Sequence, residues 1–428
     1  MAAASVFLLL LILLAASVPV AFSLTLAGAA GLLYTGGPGL LSGILSTTTL
    51  STVSSFELTA IPMFILMAEF VIISGIADTL FRSASIWVGR TPGGLAIATA
   101  LSGAGFGAIS GSSTAAAATL SATSIPAMLR QGYEPRLACG VVAISGTLAM
   151  LIPPSIALIL YGIIADVSVG KLLIGGVIPG VLVTLTIVLT VLFLVWRNPE
   201  AAPRGPGYSL AQKLASLEGV WPMLVLLAAV TGVIYAGLAT PTEAASLGAF
   251  GACAIAFSLG RLGRAELMSA CVNALRSTAM IFMILLGAHI FGYFFALTGV
   301  TQQLVSAVGA SGLPPWLIIA IILAIVMLLG CFLDQIAILV LTVPVALPVV
   351  LAIGYDPIWF GVIMIVVGEV GMVTPPVGLN AFVVARYADR PLADVFVGAW
   401  PHVVAHLILI AVLVAAPQLI LWLPSFMN

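Results

Sequence analysis

Apolar runs long enough to span a membrane recur from one end of the chain to the other, and the polar breaks between them predict the elements. Helical spans are expected at about 5–25, 26–46 and 56–76. The segment Asp78 to Arg90 sets Leu80, Phe81, Ile86 and Trp87 at helical spacing beside Arg82 and Arg90, the pattern of a helix lying along a membrane surface. Residues 93–129 then form two short apolar halves around the polar run GAISGSSTAAAAT. Each half is shorter than the roughly 20 residues a crossing needs, so a re-entrant hairpin is the expected form. One interrupted span follows at 136–169, broken between Ser145 and Pro154, and a continuous one at 172–196. After a polar segment, 197–219, spans are expected at 220–237, 241–260 and 277–298. A second hairpin at 313–352 has its tip near Asp334-Gln335. The second interrupted span is 357–388, broken between Gly368 and Pro376, and 397–424 closes the chain.

The second set of elements repeats the first. At a constant offset of 222 residues, and without a gap, Pro126 falls on Pro348, Gly132-Tyr133 on Gly354-Tyr355, Pro135 on Pro357, Gly146 on Gly368, and Pro153-Pro154 on Pro375-Pro376. Upstream the match continues with a slip of two, where Ser74-Gly75-Ile76 meets Thr298-Gly299-Val300. The chain is therefore read as two repeats, 1–196 and 220–428, joined by 197–219. Repeated halves whose apolar runs are cut by Gly and Pro point to a secondary transporter with its site between the halves.

Composition agrees with the pattern: 62% of residues are hydrophobic and 6% charged, against the roughly 25% charged of a soluble domain. No soluble domain is expected, and the net charge of −1 carries no sign of nucleic-acid binding. The first apolar run, Val6 to Ala21, has no basic residue before it and no small-residue cleavage site after it, so it reads as a retained helix. Charge also orients the repeats. Loop Arg130 to Arg136 holds two arginines while its mate, Ala352 to Pro357, has none and carries Asp356, so equivalent loops are expected on opposite sides. Counting crossings puts Arg82/Arg90, Arg197/Arg204/Lys213, Arg261/Arg264 and Arg386/Arg390 together on the cytoplasmic side, with Lys171 opposite. The expected fold is an all-α polytopic membrane protein of inverted repeats, with about ten transmembrane helices, two re-entrant hairpins, two broken helices and both termini outside.

Non-helical backbone at membrane depth survives only inside protein or beside water, which confines the candidate chemistry to the tips and the breaks. Gly146 and Gly368 are expected to bend the backbone. Pro153-Pro154 and Pro375-Pro376 remove amide donors and leave earlier carbonyls without helical partners. Free carbonyls and hydroxyls suit a hard monovalent cation such as sodium, and half-helix amino ends suit an anion. Ser112, Ser113 and Thr114 are the candidate ligands of the first tip. Asp334 and Gln335 stand at the second, where Asp334 is either a site residue or a helix cap. Glu369 is an acid within the hydrocarbon depth that could bind cation, titrate or pair with an arginine. Asn380 and Arg386 follow the second break, Arg386 as a cytoplasmic-side anchor. The four cysteines lack metal or disulfide spacing, and His289, His402 and His406 lack a third ligand; packed roles are expected for all.

The runs FELTAIPMFILMAEF (56–70), ISGSSTAAAATLSATSIPAMLRQGYEP (109–135), LIPPSIALILYG (151–162) and GEVGMVTPPVGLNAF (368–382) together resemble the large membrane subunit, the M or DctM type, of tripartite ATP-independent periplasmic (TRAP) transporters. The resemblance covers essentially the whole chain. It implies an elevator-type carrier in a bacterial inner membrane, driven by sodium ions and importing an organic-acid anion. A small four-helix membrane subunit and a periplasmic substrate-binding protein would be its partners. One sodium site would lie between Ser112-Ser113 and Ser145, Gly146 and Thr147. The other would lie between Asp334 and the break at Gly368, Glu369, Gly371 and Thr374, with substrate between the tips near Asn380. The substrate stays open among dicarboxylates, sialic acids and other organic acids. A self-sufficient sodium- or proton-coupled carboxylate carrier is the alternative. An intramembrane hydrolase is disfavoured, because no histidine lies near the serine tip and no second aspartate matches Asp334.

Overall fold

Prolines and positive-φ residues set where the apolar runs actually divide. The computed structural model describes residues 2–427, and its elements are α-helices with short 3-10 turns and no strand among the described residues. The N-terminal division differs from the expected 5–25 and 26–46. A helix Ala2–Ala15 ends in a turn where Ser17 takes φ 62°, and Val20–Val53 follows with Pro19 at its cap. Pro19 starts a helix well because its fixed φ suits the position and its missing N–H costs nothing there. The long helix is broken inside at Gly37 (φ 72°), directly before Pro38.

Val20–Val53 lies along Arg264–Thr298, and small residues make the approach possible: a Cβ on Gly28 would stand 2.8 Å from the Phe291 backbone, and one on Gly287 2.7 Å from the Ala21 carbonyl. Ala60–Ser74 packs on Pro241–Ser258 and joins the same frame. The surface helix Ile76–Val88 forms as expected, after a left-handed turn at Gly75 (φ 70°). Gly299 (φ 64°) makes the equivalent turn before Val300–Ala310. Six helices among the described residues are long and apolar enough to cross a membrane alone, and the bent pair Leu210–Gly219 and Trp221–Tyr235 could supply a seventh.

The first hairpin is Gly94–Ser110 and Ser113–Arg130; the second is Pro315–Gly330 and Gln335–Ala352. The first broken helix is Pro135–Thr147 with a 3-10 turn to Met150, then Ile156–Ala165. The second is Pro357–Gly371, then Leu379–Ala388. These two run in opposite directions. Near the end of the first, Tyr161 donates its hydroxyl to the Pro357 carbonyl (2.7 Å) at the start of the second, and Gly361 packs under the Tyr161 ring. At the start of the first, Arg136 pairs with Asp394 (3.0 Å), just beyond the end of the second, and Gly140 meets Gly398 of the closing helix Leu392–Ala415. The loops holding Gly132-Tyr133 and Gly354-Tyr355 therefore lie at opposite ends of the molecule.

Candidate functional site

Each second hairpin arm begins with a capped turn at a repeat-equivalent position. Ser112 accepts from the Ala115 amide (3.4 Å), and Asp334 accepts from the Ala337 amide (3.3 Å). A side chain at this position satisfies an amide that the first helical turn leaves without a partner. Asp334 thus caps its helix through one carboxylate oxygen. The following residue on each arm, Ser113 or Gln335, is buried.

Glycine governs how each hairpin lies on its broken helix. A Cβ on Gly103 would sit 2.9 Å from the Ser145 carbonyl, one on Gly107 2.9 Å from Ala149, and one on Gly146 2.8 Å from Ala117. In the second repeat a Cβ on Gly330 would sit 2.8 Å from the Gly368 carbonyl, and one on Gly371 2.7 Å from the Gly330 Cα. A Cβ on Gly368 would strike the Gln335 side-chain amide. This corrects the expectation that Gly146 and Gly368 bend the chain. Both are helical, and the Gly368 carbonyl accepts the Met372 amide at 3.1 Å. Ser145, Thr147 and Glu369 likewise stand in helix, not in a break. The helices end where proline forbids continuation: a Pro ring clashes with the carbonyl four residues earlier. Pro153 accordingly stops the first at Met150, and Pro375 the second at Gly371.

The tips reach across the repeats. Gly111 (φ 56°) packs on Ile156 beyond the first break, while Ser113 Oγ points at Met372 Sδ (3.8 Å) in the second, not at Ser145 to Thr147 as expected. The Cys331 carbonyl accepts the Gly378 backbone amide (3.0 Å), and the Asn380 backbone amide donates to the Met372 carbonyl (3.0 Å), leaving the Asn380 side chain out of the bond. Leu379–Ala388 packs against Ser113–Arg130, and Gln335–Ala352 against Ile156–Ala165, so each hairpin also touches the other repeat's broken helix. Four helix amino ends, at Ser113, Ile156, Gln335 and Leu379, gather around this junction with the carbonyl ends at Ser110, Met150, Gly330 and Gly371. Amino ends carry partial positive charge and carbonyl ends partial negative charge, so the junction can hold an anion and cations side by side.

Several polar atoms here are buried without a hydrogen-bond partner among the described residues. In the first repeat they are the hydroxyls of Ser110 and Ser145. In the second they are both atoms of the Gln335 amide, both carboxyl oxygens of Glu369 and both atoms of the Asn380 amide. Buried polar groups normally have partners, and a cluster without them marks a place built for something else. These hard oxygen donors fit an alkali cation. Other expected ligands hold their hydroxyls in place by local hydrogen bonds: Ser112 and Thr114 bond each other (3.3 Å), Thr147 donates to the Ile144 carbonyl (2.8 Å), and Thr374 donates to the Val370 carbonyl (2.6 Å), which leaves oxygen lone pairs on each. Ser110 falls within the expected tip, Ser110 to Thr114, but not among the ligands singled out there, because it looks like one more small residue in a run of them.

The two breaks differ in access. Pro153, Pro154 and Ser155 are buried, whereas Pro375, Pro376 and Val377 are exposed. Irregular backbone at membrane depth is not expected to face lipid, so the exposed second break is expected to open on water. A cysteine at Val377 is expected to react with a membrane-impermeant maleimide applied to the matching face, and a cysteine at Ser155 to stay unmodified; equal labelling would reverse that assignment. Elsewhere, His289 Nδ1 lies 2.8 Å from Thr52 Oγ1 and His406 Nδ1 2.8 Å from the His402 carbonyl. All four cysteines are free.

Two hairpins laid on two antiparallel broken helices, with unpartnered polar atoms where they meet, define a polytopic membrane permease of the secondary-transporter type. The family model described as tripartite ATP-independent periplasmic transporter, DctM component, matches residues 7–419, and the chain belongs to that family. The chain is 35% identical over 381 residues to the C4-dicarboxylate TRAP transporter large permease protein DctM of Pseudomonas aeruginosa, covering 88% of each. Over 422 residues it is 30% identical to the sialic acid TRAP transporter large permease protein SiaM of Vibrio cholerae, covering 96% of each. The ectoine/5-hydroxyectoine TRAP transporter large permease protein UehC of Ruegeria pomeroyi is 30% identical over 424 residues, with 98% of each covered. Among solved structures, the Alcanivorax borkumensis YdaH transporter shares the fold, with a TM-score of 0.66 at 16% identity over 91% of both chains. The family is one of transporter components, not of enzymes.

Proposed function

We propose that this chain is the large permease of a sodium-coupled TRAP transporter in a bacterial inner membrane, importing a carboxylate-bearing solute. It works with a small membrane subunit and a periplasmic protein that delivers the solute. The observation that carries this reading is the pairing of unpartnered buried oxygens with converging helix ends in both repeats. Ser110, at the first tip, belongs to one sodium site; Gln335 and Glu369 belong to the other, with Asn380 beside the anion. Relatives named for C4-dicarboxylates, sialic acid, ectoine and isethionate have in common an anionic group on the solute, a carboxylate in the first three and a sulfonate in the last, which the amino ends at the tips would receive. In an elevator cycle, the hairpins and broken helices would move as one body against the frame built on Val20–Val53 and Arg264–Thr298.

Reconstitution of the chain with its small subunit and loaded binding protein tests this. Uptake is expected only with an inward sodium gradient and only with all three components. Uptake by the purified chain alone would instead make it a self-sufficient carrier, and uptake indifferent to sodium would remove the ion sites.

A further inference from the structure

Away from the transport junction, on the arginine-rich side, a cavity of about 550 Å³ opens between the surface helix Ile76–Val88, the end of the first hairpin and the connecting segment. Arg82, Arg130 and Arg204, one from each of these elements, line it together with Gln131, Phe81 and Leu95. No acidic side chain lines it. The only ion pair among the described residues joins Arg136 to Asp394, so none of the three guanidiniums has a carboxylate within 4 Å. Glu218 lines the neighbouring cleft on the far side of Arg82 and makes no such pair.

The three elements that carry the arginines are tied to one another by hydrogen bonds. Gln131 Nε2 donates to the Pro203 carbonyl (3.1 Å), the Gly205 amide to the Gly89 carbonyl (2.9 Å), and the Glu134 amide to the Ala201 carbonyl (2.8 Å). The Tyr133 hydroxyl accepts the Leu95 amide (3.1 Å) at the cavity's edge. Three exposed arginines lining one hollow without an acid among them favour an anion there, and guanidiniums match phosphate oxygens in geometry. Depth also bears on the ligand. Exposed Trp87, on the same surface helix, donates to the Lys213 carbonyl (3.1 Å) under the Lys213 ammonium, the placement of an interfacial tryptophan at the headgroup level.

We infer that the cavity of Arg82, Arg130 and Arg204 is a binding site for a phosphate group, the chemistry shared by an acidic phospholipid headgroup and a soluble phosphate anion. Basic clefts at the cytoplasmic interface take acidic headgroups in this way. A bound phosphate would clamp the surface helix to the first hairpin's outer end.

The test measures binding to the purified full chain of two probes: phosphatidylglycerol in mixed micelles, against a phosphatidylcholine blank, and inorganic pyrophosphate. Arg82→Gln, Arg130→Gln, Arg204→Gln and the triple variant are compared with Arg264→Gln, which removes the same charge elsewhere. Affinity is expected to fall about fivefold for each arginine removed from the cavity and to be unchanged in Arg264→Gln. Binding of phosphatidylglycerol alone identifies the lipid headgroup, and binding of pyrophosphate identifies the soluble anion; either supports the site. Equal binding by the parent and the cavity variants, or binding of neither probe by the parent, overturns it. The single variants carry the test if the triple one does not purify.

Discussion

Gly368→Ala is expected to lower the apparent sodium affinity of reconstituted uptake by roughly fivefold to a hundredfold. The new methyl group would occupy the space now filled by the Gln335 amide, and the Gly368 carbonyl is also the seat of Gly330. Either the tip of the second hairpin lifts or Gln335 leaves its buried position. Overpacking of this kind costs about 1–3 kcal/mol, and each 1.4 kcal/mol changes an equilibrium about tenfold. The cost falls on the arrangement of tip and break, so it should appear in the sodium titration more than in the amount of protein recovered. Gly232→Ala, a helical glycine with open space around its Cβ position, serves as the control and should titrate like the parent. A Gly368→Ala permease with the parent's sodium dependence would mean that the close seat of the hairpin plays no part in ion binding.

Glu369→Gln is expected to reduce uptake at least tenfold while leaving the inserted protein at its normal level. Glu369 is 1% exposed, and neither carboxyl oxygen has a hydrogen-bond donor among the described residues. An isolated buried carboxylate is costly enough that an ionised Glu369 requires a cation close by, and among the described residues no arginine or lysine pairs with it. A sodium ion is the partner the proposed site supplies. Glutamine keeps the shape and removes the charge, so the variant separates a charged ligand from a neutral acid that merely fills space. Uptake and sodium dependence equal to the parent's would exclude Glu369 from the ion site.

The hairpins were legible in the sequence to within about two residues, because polar tips between short apolar arms leave few alternatives. The breaks were legible in existence but not in extent. Gly146 and Gly368 invited reading as bends, yet helix continues through both, and the prolines further on set the ends. What those glycines do, admitting a neighbouring arm, depends on tertiary contacts that spacing along one chain cannot reveal. The second surface helix, Val300–Ala310, went unseen because its polar face is uncharged, although the Gly75 and Gly299 match marked its entry. At the tips, the offset paired Ser112 with Asp334 correctly as equivalent residues. Their role as caps, and the burial of Ser113 and Gln335 beside them, emerged only with the helix register. The N-terminal spans were misplaced because an apolar run gives no weight to a single proline, while Pro19 in fact starts a helix.

Equilibrium binding of radioactive sodium to the purified chain tests most directly whether the meeting points of tip and broken helix hold cations. Saturable binding by the parent is predicted, weakened by Ser110→Ala and by Gln335→Ala separately and lost when both are combined. A doubly substituted chain that takes up sodium as the parent does would contradict the account.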